Sequence, residues 1–233
     1  MKLLTLGNTK TTKGEAQGYL TFILHLAPST LSGYNTCPSA SAGCASACLN
    51  TAGRGRFTRT QEARIRKTRF FFEHRSVFMK QLVKDVEAAI RKAGREGMTP
   101  VFRLNGTSDI RWETVPVEGF RNIMEKFPQV QFYDYTKIYK RALKWLNGEY
   151  PKNYHLTYSL NEDNKKEAFD ILNKGGNISA VFRNKKLPKI YNGFKVINAD
   201  LSDLRFKDKK NSIAGLYAKG KARYDNSGFV LDI

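Results

Sequence analysis

The amino-acid sequence predicts the α/β class, with short strands and helices alternating around a parallel sheet or barrel. Short runs rich in β-branched and aromatic residues recur along the chain, and helical periodicity follows most of them. No Pro-, Gly- or Ser-rich linker interrupts the 233 residues, and a hydrophobic share of 41% is enough to fill one core. Residues 1–233 therefore read as a single domain.

Six segments qualify as strands: residues 19–27, 100–104, 130–135, 154–160, 178–182 and 194–199. Between the first two lies a long helical stretch, in which Thr58 and Gln61 have the spacing of a capping box and Ser76 can cap a second helix. Met79, Leu82, Val83, Val86, Ile90 and Ala93 then fall at helical spacing, a stripe that predicts core, with Gly94 as a stop. Further helices are predicted over 117–126, 138–146 and 162–173, the last closed by Gly175 and Gly176. After Asp200 the alternation dissolves into a basic stretch, 205–223, expected to cap one end of the sheet or barrel.

Forty Lys and Arg against 21 Asp and Glu give a formal charge of +19, a field that attracts polyanions, so nucleic acid is the expected partner. One basic cluster, Arg54, Arg56, Arg59, Arg66 and Arg69, surrounds the first long helix, where Arg59, Arg66 and Arg69 can share a stripe. A second contains Lys219, Lys221 and Arg223, with Gly220 between the two lysines, where a phosphate could approach the main chain. Neither carries a zinc-finger or RNP pattern, so non-specific electrostatic binding is expected. The first thirteen residues lack a secretory pattern, and the longest apolar run, 19–27, is too short to span a bilayer. A cytoplasmic protein is the expectation.

All three cysteines fall within one loop at 36–50, which is not how a disulfide framework is distributed. Cys37, Cys44 and Cys48 read C-x6-C-x3-C, directly after the first predicted strand. On a helix, Cys44 and Cys48 would present both sulfurs on one side, with small residues between them leaving room for a bulky inorganic core. Three thiolates suit a [4Fe–4S] cluster with one iron left open. Zinc is the rival and would require a fourth ligand, for which His25 is the nearest candidate on the preceding strand. The remaining reading is three small buried hydrophobes without metal.

In βα folds ligands sit beyond the C-terminal ends of the strands. There the sequence places Arg103, Asn105, Gly106, Thr107, Ser108 and Asp109 at and beyond the end of the second strand, Tyr135 at the end of the third, Ser159 at the end of the fourth and Arg183 at the end of the fifth. The succession from Asn105 to Asp109 exceeds what a tight βα turn needs and predicts a ligand-binding segment.

The run from Cys37 to Cys48-Leu49, the basic Ala63-Arg64-Ile65-Arg66-Lys67-Thr68, the Asn105-Gly106-Thr107-Ser108-Asp109 segment and the Gly215-to-Ala222 and Gly228-Phe229-Val230 ending resemble the phage gene product 88 family over nearly the whole chain. That resemblance implies a bacteriophage protein acting in the infected cell. More loosely, the cysteine loop after the first strand is similar to that of radical S-adenosylmethionine enzymes, although the spacing differs from their C-x3-C-x2-C and no Gly-Gly-Glu follows the second strand. This second resemblance implies a (β/α)6 partial TIM-like barrel, a [4Fe–4S] cluster, S-adenosylmethionine as cosubstrate, and redox or radical chemistry. Two other classes stay open: a non-enzymatic DNA- or RNA-binding protein with a structural metal, and a metal-dependent hydrolase using Asp109 and Asp200.

Overall fold

The structure, a computed structural model, describes residues 1–6 and 12–233. Its strands are β1 (Leu4–Leu6), β2 (Tyr19–Leu24), β3 (Thr99–Arg103), β4 (Gln131–Thr136), β5 (Tyr154–Ser159), β6 (Ile178–Phe182), β7 (Ile190–Tyr191), β8 (Phe194–Asn198), β9 (Ser212–Tyr217) and β10 (Val230–Leu231). The helices are α1 (Thr12–Glu15), α2 (Ala42–Ser46), α3 (Thr58–Glu73), α4 (Arg75–Arg95), α5 (Ile123–Lys126), α6 (Tyr139–Leu146) and α7 (Lys165–Asn173). The strands form one open sheet in the order β1-β2-β3-β4-β5-β6-β9-β8-β7, with β10 pairing β6 off that path. From β2 to β8 all neighbours run parallel, and the antiparallel partners β1 and β7 form the two edges. The α/β class is as expected; among the described residues the sheet does not close, and it holds ten strands where six were predicted.

Helices α3 to α7, in the crossovers between β2 and β6, pack on one face of the sheet. That face is apolar: Phe22, Phe102 and Phe132 stack across β2, β3 and β4 and pack with Phe78, Met79, Leu82, Val83 and Val86 of α4. Farther along, Tyr158, Ile178 and Ile213 pack with Ala168, Ile171 and Leu172 of α7. The opposite face is largely polar. Ile23 lies beside Arg103, Tyr133 beside His155, Tyr135 beside Thr157, and Ser159 beside Ser179.

Four expectations need correction. Neither long helix has the predicted cap: α3 starts from Phe57, whose carbonyl takes the Thr60 and Gln61 amides, and α4 starts from His74 with Ser76 already inside. The helix predicted over 117–126 shrinks to α5, because Glu118 and Gly119 both adopt positive φ in a tight turn bridging Val117 and Phe120. The 205–223 stretch is no cap: it contains β9, a buried strand between β6 and β8. Its Ser-Ile-Ala-Gly-Leu-Tyr sequence hides it, since Gly215 is a poor strand former; packing favours glycine there, because a Cβ would come 2.7 Å from Val196 Cγ1. Among the described residues no helix is long and apolar enough to cross a membrane.

Candidate metal centre

The chain leaves β2 through buried Leu26 and Ala27 and turns at Ser29, which holds a positive φ. Thr36 closes this turn, its Oγ1 donating to Ala27 O at 2.6 Å and its amide to Ser29 O at 3.0 Å. Its own carbonyl accepts the Asp109 amide at 2.7 Å, tying the loop to the end of β3. Cys37 is thereby fixed, with its Sγ accepting the Ser29 amide at 3.4 Å and lying 3.8 Å from Thr107 O.

Cys44 sits on α2, whose first turn is clamped from β5. The Glu162 carboxylate accepts Ser41 Oγ at 2.7 Å and the Gly43 amide at 2.6 Å, while Ser41 caps the Cys44 amide. Gly43 is closely packed: a Cβ there would lie 1.9 Å from Ser227 Oγ and 2.9 Å from Phe229 Cβ, so those side chains would have to shift. The expected helical pairing of Cys44 with Cys48 does not occur. α2 ends at Ser46, and Cys48 is extended at the head of a 3-10 turn, Leu49–Thr51, with Sγ accepting the Asn50 amide at 3.5 Å.

All three cysteines are free and half-buried. Burial pushes the Cys37 and Cys48 thiols up and the Ser29 and Asn50 amides oppose it; Asp109 and Cys44 raise Cys37 further, and Cys44 and Cys37 raise Cys48. Cys48 feels both Cys37 and Cys44, so the sulfurs share one electrostatic neighbourhood. Lys137, at the end of β4, pulls Cys48 back down; its Nζ donates to Ser159 Oγ at 3.0 Å and lies 5.7 Å from the Phe229 ring centroid. Arg64, bonded to Asn50, is a second cation beside Cys48. Lys137, Arg64 and Glu162 have no local signature in sequence, because three different elements bring them to the loop. Among the described residues, no group of three or more His, Cys, Asp or Glu side chains is gathered tightly enough to hold a single metal ion.

The Asn105-to-Asp109 segment lies beside this loop but uses its polar groups internally. Asn105 is 2% exposed; its Oδ1 accepts from Ser108 Oγ, the Ile110 amide and Trp112 Nε1, and its Nδ2 donates to Asp134 and Ile110 O. Thr107 Oγ1 donates to Leu26 O, and a Cβ on Gly106 would strike Ile23 and His25 at 2.7 Å. Asp109 accepts from Thr136, the Lys137 amide and Arg141 Nη1. Arg141 also binds both Glu113 oxygens and Tyr154 OH, which in turn donates to Asp134. Burial pushes Asp134 up to about 7 against these partners.

The other predicted positions scatter. Arg103 pairs with Asp203 at 3.2 Å and stacks 4.7 Å over Tyr135, whose buried hydroxyl has no hydrogen-bond partner among the described residues. Arg183 is bound to Asp232 and to the Arg223 and Asp225 carbonyls. His25 belongs to the polar face, where burial and Arg64, Arg103 and Lys67 push it down to about 3, so it is neutral. Asp200 pairs with Lys219 and accepts the Tyr217 amide, apart from Asp109's partners.

Arg54, Arg56, Arg59, Arg66 and Arg69 are exposed, with Arg69 donating to Ser32 O and Arg66 3.9 Å from Glu62. Lys221 and Arg223 are exposed too. Gly220, at φ +55°, turns towards Ala52, whose Cβ lies 3.0 Å from where a Cβ on Gly220 would sit. That contact joins the two basic clusters, because the Gly220–Tyr224 turn packs on the Leu49–Thr51 turn, which also meets the Gly53–Arg56 turn.

Fold and loop together define a parallel-sheet α/β protein with three free thiols over the C-terminal edge of its strands. The chain belongs to the phage Gene product 88 family, whose profile matches residues 2–233. Neither the curated proteins nor the solved structures provide a match.

Proposed function

We propose that this phage protein holds a [4Fe–4S] cluster on Cys37, Cys44 and Cys48 and binds nucleic acid through the basic surface around that loop. The observation carrying the first half is that three free thiols, held by three separate pieces of backbone, lie in one electrostatic neighbourhood with amides donating to two of them. Amide-to-sulfur bonds and flanking cations suit an anionic cluster. Zinc fits less well. A single ion with bonds of about 2.3 Å would draw its sulfurs together, whereas a cluster spreads them over different irons. A purely structural metal is also disfavoured, because Thr36, Asp109 and Glu162 already anchor the loop.

When bound, such a cluster supplies an electron to a ligand on its open iron. Lys137 is the cation best placed to receive a carboxylate there, so S-adenosylmethionine remains the cosubstrate to test. The sequential parallel run β2 to β6, with helices on one face and polar side chains on the other, supports reading the sheet as an opened partial barrel of the radical S-adenosylmethionine kind. Anaerobic purification with iron and sulfide analysis should give about four of each per chain, and Cys44→Ser should lose them. Electron paramagnetic resonance of the reduced protein should change on adding S-adenosylmethionine. Colourless protein without iron or sulfide would refute the cluster; an unchanged spectrum would refute the cosubstrate alone.

A further inference from the structure

The sheet order reverses at its far end. After β6 the chain passes β9's position to form β7 and β8, then returns to insert β9 between β6 and β8. Leu187, following β6, packs on the helix-bearing face with Phe182 and Val196, whereas Ala218 and Ala222, following β9, pack on the other face with Val181 and Ala47. Neighbouring parallel strands thus send their continuations to opposite faces, which opens a crevice at their C-terminal ends. A cavity of about 320 Å³ occupies that place, lined by Arg183, Lys185, Tyr217, Ala218 and Arg223. Three of its five lining residues are cationic and none is acidic. Arg183 is tied to Asp232, so Lys185 and Arg223, both exposed and without an ion pair among the described residues, carry the available charge.

The wall residue Arg223 is followed by Tyr224, which is 83% exposed. From that turn the surface continues across Leu49–Thr51 to Phe57, 53% exposed among Arg54, Arg56 and Arg59, with the Arg56 guanidinium 5.9 Å from its ring centroid. Cations alone would serve a duplex, whose bases are stacked inside. Large aromatic rings standing in water beside cations serve unstacked bases instead.

Resting on the nucleic-acid half of the proposed function, we propose that the partner is single-stranded. A backbone phosphate sits in the β6–β9 crevice on Lys185 and Arg223, bases stack on Tyr224 and Phe57, and the strand runs along the rim of the cysteine loop. Fluorescence anisotropy of the full chain with a labelled oligothymidylate and with the matching A·T duplex, over a salt series, tests this. The single strand should bind more tightly than the duplex. Tyr224→Ala and Phe57→Ala should each weaken single-strand binding roughly tenfold with the salt slope unchanged. Lys185→Ala and Arg223→Ala should each lower the slope by about 0.7. All four side chains are exposed, so the fold does not depend on them.

Equal affinity for the duplex, or aromatic variants that bind like the parent, would overturn the single-strand assignment while leaving general nucleic-acid binding in place. Unchanged slopes in both cation variants would overturn the phosphate seat. Competition by inorganic phosphate as effective, per phosphate, as the oligomer would mean a free-anion site and would overturn it too. Failure to bind either probe at low salt would overturn this proposal together with the nucleic-acid half of the function, with the iron and sulfide content unaffected.

Discussion

Two neighbouring regions at the C-terminal edge of the sheet treat their polar groups in opposite ways. Around Asn105, Asp109, Glu113, Asp134, Arg141 and Tyr154, donors and acceptors meet one another in a buried network, with Arg141 at 2% exposure answering two carboxylates and a phenol. In the cysteine loop the backbone is equally well anchored, yet the three thiols are half-buried and unbonded to one another. A satisfied network holds shape and has nothing left to offer a ligand; free thiols that are only weakly hydrogen-bonded, on anchored backbone, are not committed in that way. The segment most conspicuous in sequence, Asn105 to Asp109, is therefore the bracket, and the cysteine loop is what it holds.

The sharpest way to break this contrast is Arg141→Met, which leaves Asp109 and Glu113 buried without their cation. Destabilisation of about 3–5 kcal/mol is expected, read from denaturant melts; a loss under 1 kcal/mol would mean the network is solvated. Acid should come next. Burial and Arg205 push His155 down to about 4, so its neutral form is favoured in the folded state. The stability this contributes is complete above pH 6.5 and is lost as pH falls towards 4, at up to about 1.4 kcal/mol per pH unit. Comparing the parent with His155→Gln at pH 7 and pH 4.5 isolates this slope, and identical pH profiles would contradict it.

Asn105→Ala should cost about 2 kcal/mol, since it strands Trp112 Nε1 and the Ile110 amide in the interior. It should also lower iron and sulfide content partially, because Asp109 holds Thr36 beside Cys37 through backbone. The smallest effect on stability belongs to the loop. Replacing Cys37, Cys44 and Cys48 together by Ser should change the melting of the metal-free protein by less than about 1 kcal/mol, while removing all bound iron. A large loss in the metal-free protein would make the thiols part of the scaffold and erase the distinction.

Hydrophobic periodicity and β-branched runs suffice to locate β2 through β6, β8 and the α4 stripe, because burial of one face writes a period into local sequence. The grouping of all three cysteines in one loop is likewise legible without any coordinates. Contacts between distant segments leave no such period. β9 is strand only because β6 and β8 flank it, Arg141 is buried only because Asp109 and Glu113 face it, and Cys44 and Cys48 share a neighbourhood through a turn, not a helix. The same holds for the two basic clusters, far apart in sequence and joined by the close approach of Gly220 to Ala52. Residue type is a local property, but charge, burial and proximity are sums over neighbours, and only the folded chain decides which neighbours those are.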